Sequence, residues 1–301
     1  MWKYYAFRIA GFTLSYLPMR AGYLIAQLTA DLVYLLYSAL GAAVEDNMRH
    51  VLGREANQGR VRQASRGVIR SVARNYFDLV KLPRINPTQI EHDIAVKGWH
   101  NLESALERRK GVVLVTAHFG SFEMSSQIFP VRSVKTTIPV EPLQPPALLD
   151  HVTALRNSKG LNVIPARPGV LNVLIKNLRR GEVVLLACDR DIAGNGLRTD
   201  FFGEETSLPT LAVRLAMRTG AALVPAFGLR QEDGRCSVCF EPAIEVTPSG
   251  DGAVMHNLHR VTQAMEQYIS SYPDQWLVLS PVWQNGQSHV SAPEDTVACA
   301  S

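Results

Sequence analysis

The sequence predicts an α/β protein: a mixed, mostly parallel sheet flanked by helices and preceded by an amphipathic helical module that associates with a membrane. Three observations carry this. Short, continuously apolar runs recur at 111–117, 134–140, 161–165, 183–187 and 222–227, the mark of strands buried on both faces. Segments with helical spacing separate several of them, at 147–159, 170–180 and 209–219, which is the alternation of βαβ units. The third is the opening of the chain, where residues 1–40 are dense in aromatic and aliphatic side chains, broken by Gly11, Pro18 and Gly22.

The opening segment reads as two helical pieces. No clean cleavage site follows a short apolar core, which argues against a secretory signal. A spanning helix needs roughly 20 apolar residues, and the best window, 21–44, is interrupted by Gln27 and Asp31. Tyrosines at 4, 5, 16, 23, 34 and 37 together with Lys3, Arg8 and Arg20 suit a helix pair lying in the headgroup layer. A single span and a soluble helical lid are the alternatives. A polar helical stretch follows at 45–81, ended by Pro83 and Pro87. Next come a strand at 94–98 and a helix at 101–110, N-capped by Asn101. Beyond the core strands, 236–241 and 244–247 read as a closing hairpin and 254–272 as a long helix. With no internal repeat and no long linker, the chain divides into membrane-associating helices at 1–44, one catalytic domain at 45–284 and a loose tail at 285–301.

Composition narrows the partners. Charged residues make up 19% of the chain, below the roughly 25% of average soluble proteins, as suits a protein resting on lipid. The net charge of +4 favours an anionic partner, either a phospholipid surface or an acidic carrier. No stripe of Lys and Arg with interleaved aromatics is present, so nucleic acid is not expected. Cys236 and Cys239 form a C-x-x-C pair inside an apparent strand, without the second pair or neighbouring His that a zinc site needs. They read as ordinary thiols of a reducing cytoplasm.

The stretch Val115-Thr-Ala-His-Phe-Gly-Ser-Phe-Glu-Met124 carries the chemistry. It follows a buried strand, and ligands of open α/β sheets collect beyond the carboxyl ends of strands. His118 and Glu123 are five residues apart, about 140° on a single helix, so they could not share a helical face. Gly120 offers a turn that leaves His118 in the loop and Glu123 in the first helical turn. A carboxylate on one imidazole nitrogen would fix the tautomer and leave the other nitrogen to take a proton from a hydroxyl. A second strand, 181–187, ends in Asp189-Arg-Asp191, and there Arg190 is a candidate for holding a phosphate or an oxyanion.

His118-Phe-Gly-Ser-Phe-Glu123 resembles the H-x4-D/E signature of glycerolipid-type acyltransferases. The order of further motifs narrows the resemblance: Val140-Glu-Pro142, Arg156 four residues before Gly160, the run 181–191, Phe201-Phe-Gly203, and Thr219-Gly-Ala221 before Val224-Pro225. From Tyr4 to Trp283 the chain is similar to the branch that holds bacterial lipid A late acyltransferases and phosphatidylinositol mannoside acyltransferases. The resemblance implies His118 and Glu123 as the catalytic dyad, with Glu141, Arg156, Asp189 and Arg190 as substrate-binding residues. It also implies acyl-CoA or acyl-carrier protein as donor substrate, with no other cofactor and no metal. The acceptor would be a hydroxyl of a membrane glycolipid, and the place of action the cytoplasmic face of the cell membrane, reached as a peripheral or single-pass protein.

Two departures bear on the branch. Leu208-Pro-Thr-Leu-Ala212 replaces the family's usual Gly-Pro pair, and 276–283 lacks the basic ending common in the lipid A enzymes. The chain therefore looks closer to the mannoside acyltransferases. Rival readings are a metal site from His118, Glu123 and Asp189, a serine hydrolase, for which the G-x-S-x-G elbow is missing, an acyltransferase acting on a simple lysophospholipid, and a catalytically idle lipid-binding scaffold.

Overall fold

A computed structural model describes residues 2–283; the tail expected at 285–301 lies outside the described residues. The chain opens with four helices, α1 (Trp2–Leu14), α2 (Met19–Leu36), α3 (Ser38–Leu52) and α4 (Gln58–Lys81), then α5 (Pro87–Asp93). The catalytic region runs β1 (Ile94–Lys97), α6 (Trp99–Glu107), β2 (Val112–Thr116), α7 (Phe122–Ser125), α8 (Ile128–Val131), β3 (Thr136–Val140), α9 (Pro146–Asn157), β4 (Asn162–Pro165), α10 (Val170–Arg179) and β5 (Val183–Ala187). It closes with β6 (Leu197–Phe201), β7 (Glu204–Leu208), α11 (Leu211–Thr219), β8 (Ala222–Arg230), β9 (Cys236–Phe240) and α12 (Ala253–Ser271).

Seven strands form one sheet in the order β1-β9-β8-β2-β5-β3-β4. From β8 to β4 all neighbours are parallel, whereas β9 runs antiparallel to β8 and β1 parallel to β9. This is the mixed, mostly parallel α/β sheet that the sequence predicts. Its two faces fill from alternate residues of the same strands. Val113, Val115, Val184 and Leu186 join one core cluster, and Val112, Leu114 and Val183 the other. Apolar cover on both sides explains why β2 and β5 read as continuous runs rather than alternations.

Three local expectations need correction, and one hairpin is added to them. The helical stretch at 45–81 is two helices, because the chain leaves helical form at Gly53 and restarts under Asn57, whose side chain accepts the Arg60 N–H. Helix α6 begins at Trp99 after Gly98, and Asn101 donates to the Phe240 carbonyl instead of capping. The closing hairpin is β8 with β9, joined across an Asp233-Gly234 turn of the kind that favours tight reversals; Ile244 makes only an isolated bridge to Leu223. The pair β6–β7 is a second hairpin whose two turn residues, Phe202 and Gly203, both have positive φ, as a two-residue turn of this class requires.

The N-terminal helices are fastened to the sheet domain through α4. Helix α2 turns Gly22, Ala26 and Ala30 inward and Leu24, Leu28 and Leu32 outward, with Leu35 77% exposed. Small residues face the protein and large apolar ones face outside, the reverse of a surface helix in water. The Asp31 carboxylate accepts from Arg66 and from both Nε and Nη2 of Arg70. The Lys81 ammonium donates to the Ser15 and Leu17 carbonyls, capping the end of α1 with charge. The boundary expected between residues 44 and 45 falls inside α3, which buries Val44, Asn47 and Met48 together.

Hydrogen bonds from Arg70 and Arg66 hold the Asp31 carboxyl well below the usual carboxylate range. A depressed folded-state pKa contributes stability above the unfolded-state value, and that contribution disappears as pH falls through the folded one. Asp31→Asn should therefore lower Tm by about 2 °C at pH 7. The gap to the parent should close progressively below about pH 4, as read by calorimetry across pH.

Candidate active site

The register between β2 and β5 builds the site. The strands pair in parallel from Val112↔Val183 to Thr116↔Ala187, and the same spacing of 71 residues carries on beyond the strand ends to His118 and Asp189. Adjacent parallel strands thus deliver the two side chains to the same edge. His118 Nδ1 lies 2.8 Å from Asp189 Oδ1, and the His118 backbone N–H donates to Oδ2 at 3.0 Å. The indole Nε1 of Trp276 donates to the same Oδ2 at 2.8 Å. Asp189 is wholly buried. Burial pushes its carboxyl up, but the facing His118 ring and these donors outweigh that and hold it below the usual range. An ionised carboxylate only accepts hydrogen bonds, so Nδ1 carries the proton and Nε2 presents a lone pair. The His118 side chain is 24% exposed.

The loop after His118 is held by backbone pairing. Leu277 N–H donates to the His118 carbonyl, Gly120 N–H donates to the Gln275 carbonyl, and Asn75 Nδ2 donates to the Gly120 carbonyl at 2.7 Å. Gly120 has φ 59°, and a Cβ there would fall 1.8 Å from the Gly228 carbonyl oxygen. The glycine of the motif is thus fixed by close approach to β8 as well as by its turn.

Glu123 does not hold the imidazole, contrary to the expected pairing. It sits buried in α7, where its carboxylate accepts from Arg156 Nε at 3.0 and 3.1 Å and from Nη2 at 2.5 Å. The turn at Gly120 aims Glu123 toward α9, while the sheet register has already given the imidazole its partner. Arg156, expected as a substrate contact, spends these donors on Glu123. Burial works against its charge, and the carboxylate more than restores it. Arg190 is half-buried beside Asp189 and makes no ion pair among the described residues. Its neighbour Asp191 is occupied by the N–H groups of Asn195 and Gly196 and by the Ser207 hydroxyl. Glu141 follows β3, which pairs with β5 only across Thr136/Val183 and Thr137/Val184. The ladder between the two strands therefore stops well short of their carboxyl ends, where Asp189 and Glu141 lie. Cys236 and Cys239 are buried within β9.

Comparison with known proteins places this architecture. Residues 1–285 match the model of the bacterial lipid A biosynthesis acyltransferase family. The chain belongs to this family. It is similar to the phosphatidylinositol mannoside acyltransferase of Mycobacterium tuberculosis (strain ATCC 25618 / H37Rv), with 32% identity over 224 residues, covering 71% of this chain and 68% of the relative. A protein of the same description from Mycolicibacterium smegmatis is 30% identical over 225 residues, covering 72% of this chain and 71% of that relative. The chain is therefore an acyltransferase, and the strand-end geometry above is that of a member of the lipid A biosynthesis acyltransferase family.

Two residues of this acyltransferase's site escape motif reading. Trp276 lies 87 residues from Asp189, and Asn75 lies 45 from Gly120. Neither separation leaves a local pattern. Within the family's H-x4-E motif, the buried Glu123–Arg156 pair is an internal tie between α7 and α9. Glu123→Gln should cost about 3–5 kcal/mol, because it leaves Arg156 buried without a counter-charge, and Tm should fall by roughly 6 °C or more. Glu123→Gln with Arg156→Met should recover most of that loss in calorimetry. A double variant no more stable than the single one would show that the pair is not the unit.

Proposed function

We propose that this acyltransferase moves a fatty acyl group from a thioester donor, acyl-CoA or acyl-carrier protein, to a hydroxyl of a membrane glycolipid of the phosphatidylinositol mannoside kind. The observation that carries the chemistry is the His118–Asp189 contact, a base with one nitrogen fixed by a buried carboxylate and the other open. The relatives' descriptions support the acceptor class.

In this mechanism the acceptor hydroxyl donates to His118 Nε2. Its oxygen attacks the thioester carbonyl carbon while the proton passes to the imidazole. Asp189 stabilises the imidazolium and keeps the ring in place, the role of the acid in a Ser-His-Asp arrangement. The tetrahedral intermediate carries its negative charge on the former carbonyl oxygen, where Arg190 is a suitably uncommitted cation. Collapse breaks the carbon–sulfur bond, and the thiolate leaves with the proton from the imidazolium. Glu141, which follows β3 at the carboxyl edge of the sheet, is the further candidate contact for acceptor hydroxyls. The rival reading as an idle lipid-binding protein has no use for an ordered base and carboxylate at the strand ends.

The apolar outer faces of α1 and α2 support a location on the cytoplasmic face of the membrane. Trp2, Ile9, Phe12, Leu28, Leu35 and Leu36 are all exposed, and a net charge of +4 suits an anionic lipid surface. No single helix among the described residues is long and apolar enough to cross a bilayer. Helices α2 and α3 pass that test together but meet at 98°. This shape favours peripheral seating over a span.

His118→Ala should reduce transfer of acyl groups from acyl-CoA to phosphatidylinositol mannoside by roughly 10²–10⁴, with the melting curve retained. Asp189→Asn should lose activity on the same scale, since the wrong tautomer is then favoured. Near-parent turnover by a folded His118→Ala protein would falsify the mechanism. For the membrane reading, Leu28→Glu with Leu35→Glu should weaken sedimentation with anionic vesicles roughly 100-fold, at about 1.5 kcal/mol or more per leucine. Tm should hold, because both side chains already face outward; unchanged vesicle binding would refute the seating.

A further inference from the structure

Helix α4 carries arginines at 62, 66, 70 and 74, one per turn on a single face. Their partners differ. Arg66 and Arg70 share Asp31 of α2. The next carboxylate along α4, Asp78, accepts from Tyr23 and from Arg230, both of which converge on it in a buried cluster. Arg74 lies between these two sites and bonds to neither carboxylate, its charge acting on Asp78 only at longer range. Its Nε is buried with no hydrogen-bond partner, and among the described residues it makes no ion pair. Its charged surroundings are Arg230, Arg70, Tyr23 and Asp274. Asp274 forms no salt bridge with it, and burial pushes that carboxyl toward its neutral form. A half-buried guanidinium among other cations thus lacks a hydrogen-bonded counter-charge, Asp78 and Asp274 offsetting it only at longer range, which is costly for a protein to maintain.

Position gives this cation a use. The residue after it, Asn75, holds the Gly120 carbonyl, two residues from His118. Asp274 precedes Gln275, whose carbonyl accepts the Gly120 N–H. Arg74 therefore stands at the foot of the loop that presents the base. The arginine face leads outward from there to a concavity of about 440 Å³ lined by Asp31, Leu32, Tyr34, Leu35 and Arg66, beside the exposed leucines of α2.

We propose that Arg74 binds the phosphate of the lipid acceptor, holding its headgroup while a sugar hydroxyl reaches His118. This rests on the reading of the chain as a glycolipid acyltransferase, with the phosphate assigned to the acceptor and not to the thioester donor. The planar guanidinium suits a phosphodiester through paired N–H donors.

The test compares the full chain with Arg74→Gln and Arg74→Lys. Calorimetric titration with dihexanoyl phosphatidylinositol needs no turnover, so it stands apart from the catalytic proposal. Arg74→Gln should weaken this binding by about 10- to 100-fold, and Arg74→Lys should restore part of it. Dihexanoylglycerol, which lacks the phosphate, should bind all three proteins alike. In the transfer assay the KM for acceptor should rise while the KM for acyl-CoA stays fixed, and Tm should not fall. A raised KM for acyl-CoA with unchanged acceptor affinity would assign the phosphate to the donor and overturn the proposal. So would a lowered Tm with unchanged titrations, which would make Arg74 a structural residue. If transfer itself is absent in the parent while Arg74→Gln still loses phosphatidylinositol binding, the catalytic reading falls and this one stands.

Discussion

Everything at the catalytic edge depends on keeping one carboxylate ionised out of contact with water. Asp189 accepts from the His118 ring, the His118 backbone and the Trp276 indole, and a buried charge is tolerable only when its oxygens are satisfied in this way. The three donors come from two separate stretches of chain. The loop after β2 supplies two of them, and the segment after α12 supplies the third. The parallel register of β2 with β5 and the docking of the carboxyl-terminal segment are therefore conditions for the charge to exist. The His118 ring is oriented by the same contacts that close the fold.

A second buried charge cluster does similar work for the amino-terminal helices. Asp78, Arg230 and Tyr23 join α4, the end of β8 and α2. Because β8 is the direct neighbour of β2, the helix pair with the exposed apolar face is tied to the strand ends that carry the chemistry. Movement of α2 away from α4 would break hydrogen bonds at both Asp31 and Asp78. The exposed apolar face of α2 and the strand ends at His118 and Asp189 are accordingly tied into one arrangement rather than a body and a loose appendage.

Much of this was legible in the sequence because it lies in local patterns. Strands buried on both faces leave uninterrupted apolar runs, and all of the core strands were visible in this way. The candidate residues His118, Asp189 and Arg190 were singled out because they follow such runs, whereas Glu141 came only from the family resemblance. The partner of His118 was misassigned because the nearest carboxylate in sequence, Glu123, is drawn off by Arg156, and side-chain direction at a turn is not a matter of spacing. A signal for the true partner was present: Val112-Val-Leu-Val-Thr-Ala-His118 and Val183-Val-Leu-Leu-Ala-Cys-Asp189 align position for position, which matches the register of the two strands. The hairpin at 197–208 was missed because its strands are polar and its turn depends on positive φ at Phe202 as well as Gly203.

The indole bonded to Asp189 makes the site optically readable. Excitation of tryptophan moves electron density from the pyrrole ring toward the benzene ring, so a negative charge beside Nε1 stabilises the excited state and shifts emission to longer wavelength. Trp276 carries such a charge at hydrogen-bond distance and is sealed from solvent, which removes water relaxation as a competing cause. A change in that carboxylate's charge should therefore shift the contribution of Trp276 to the emission of the four tryptophans, without an added label.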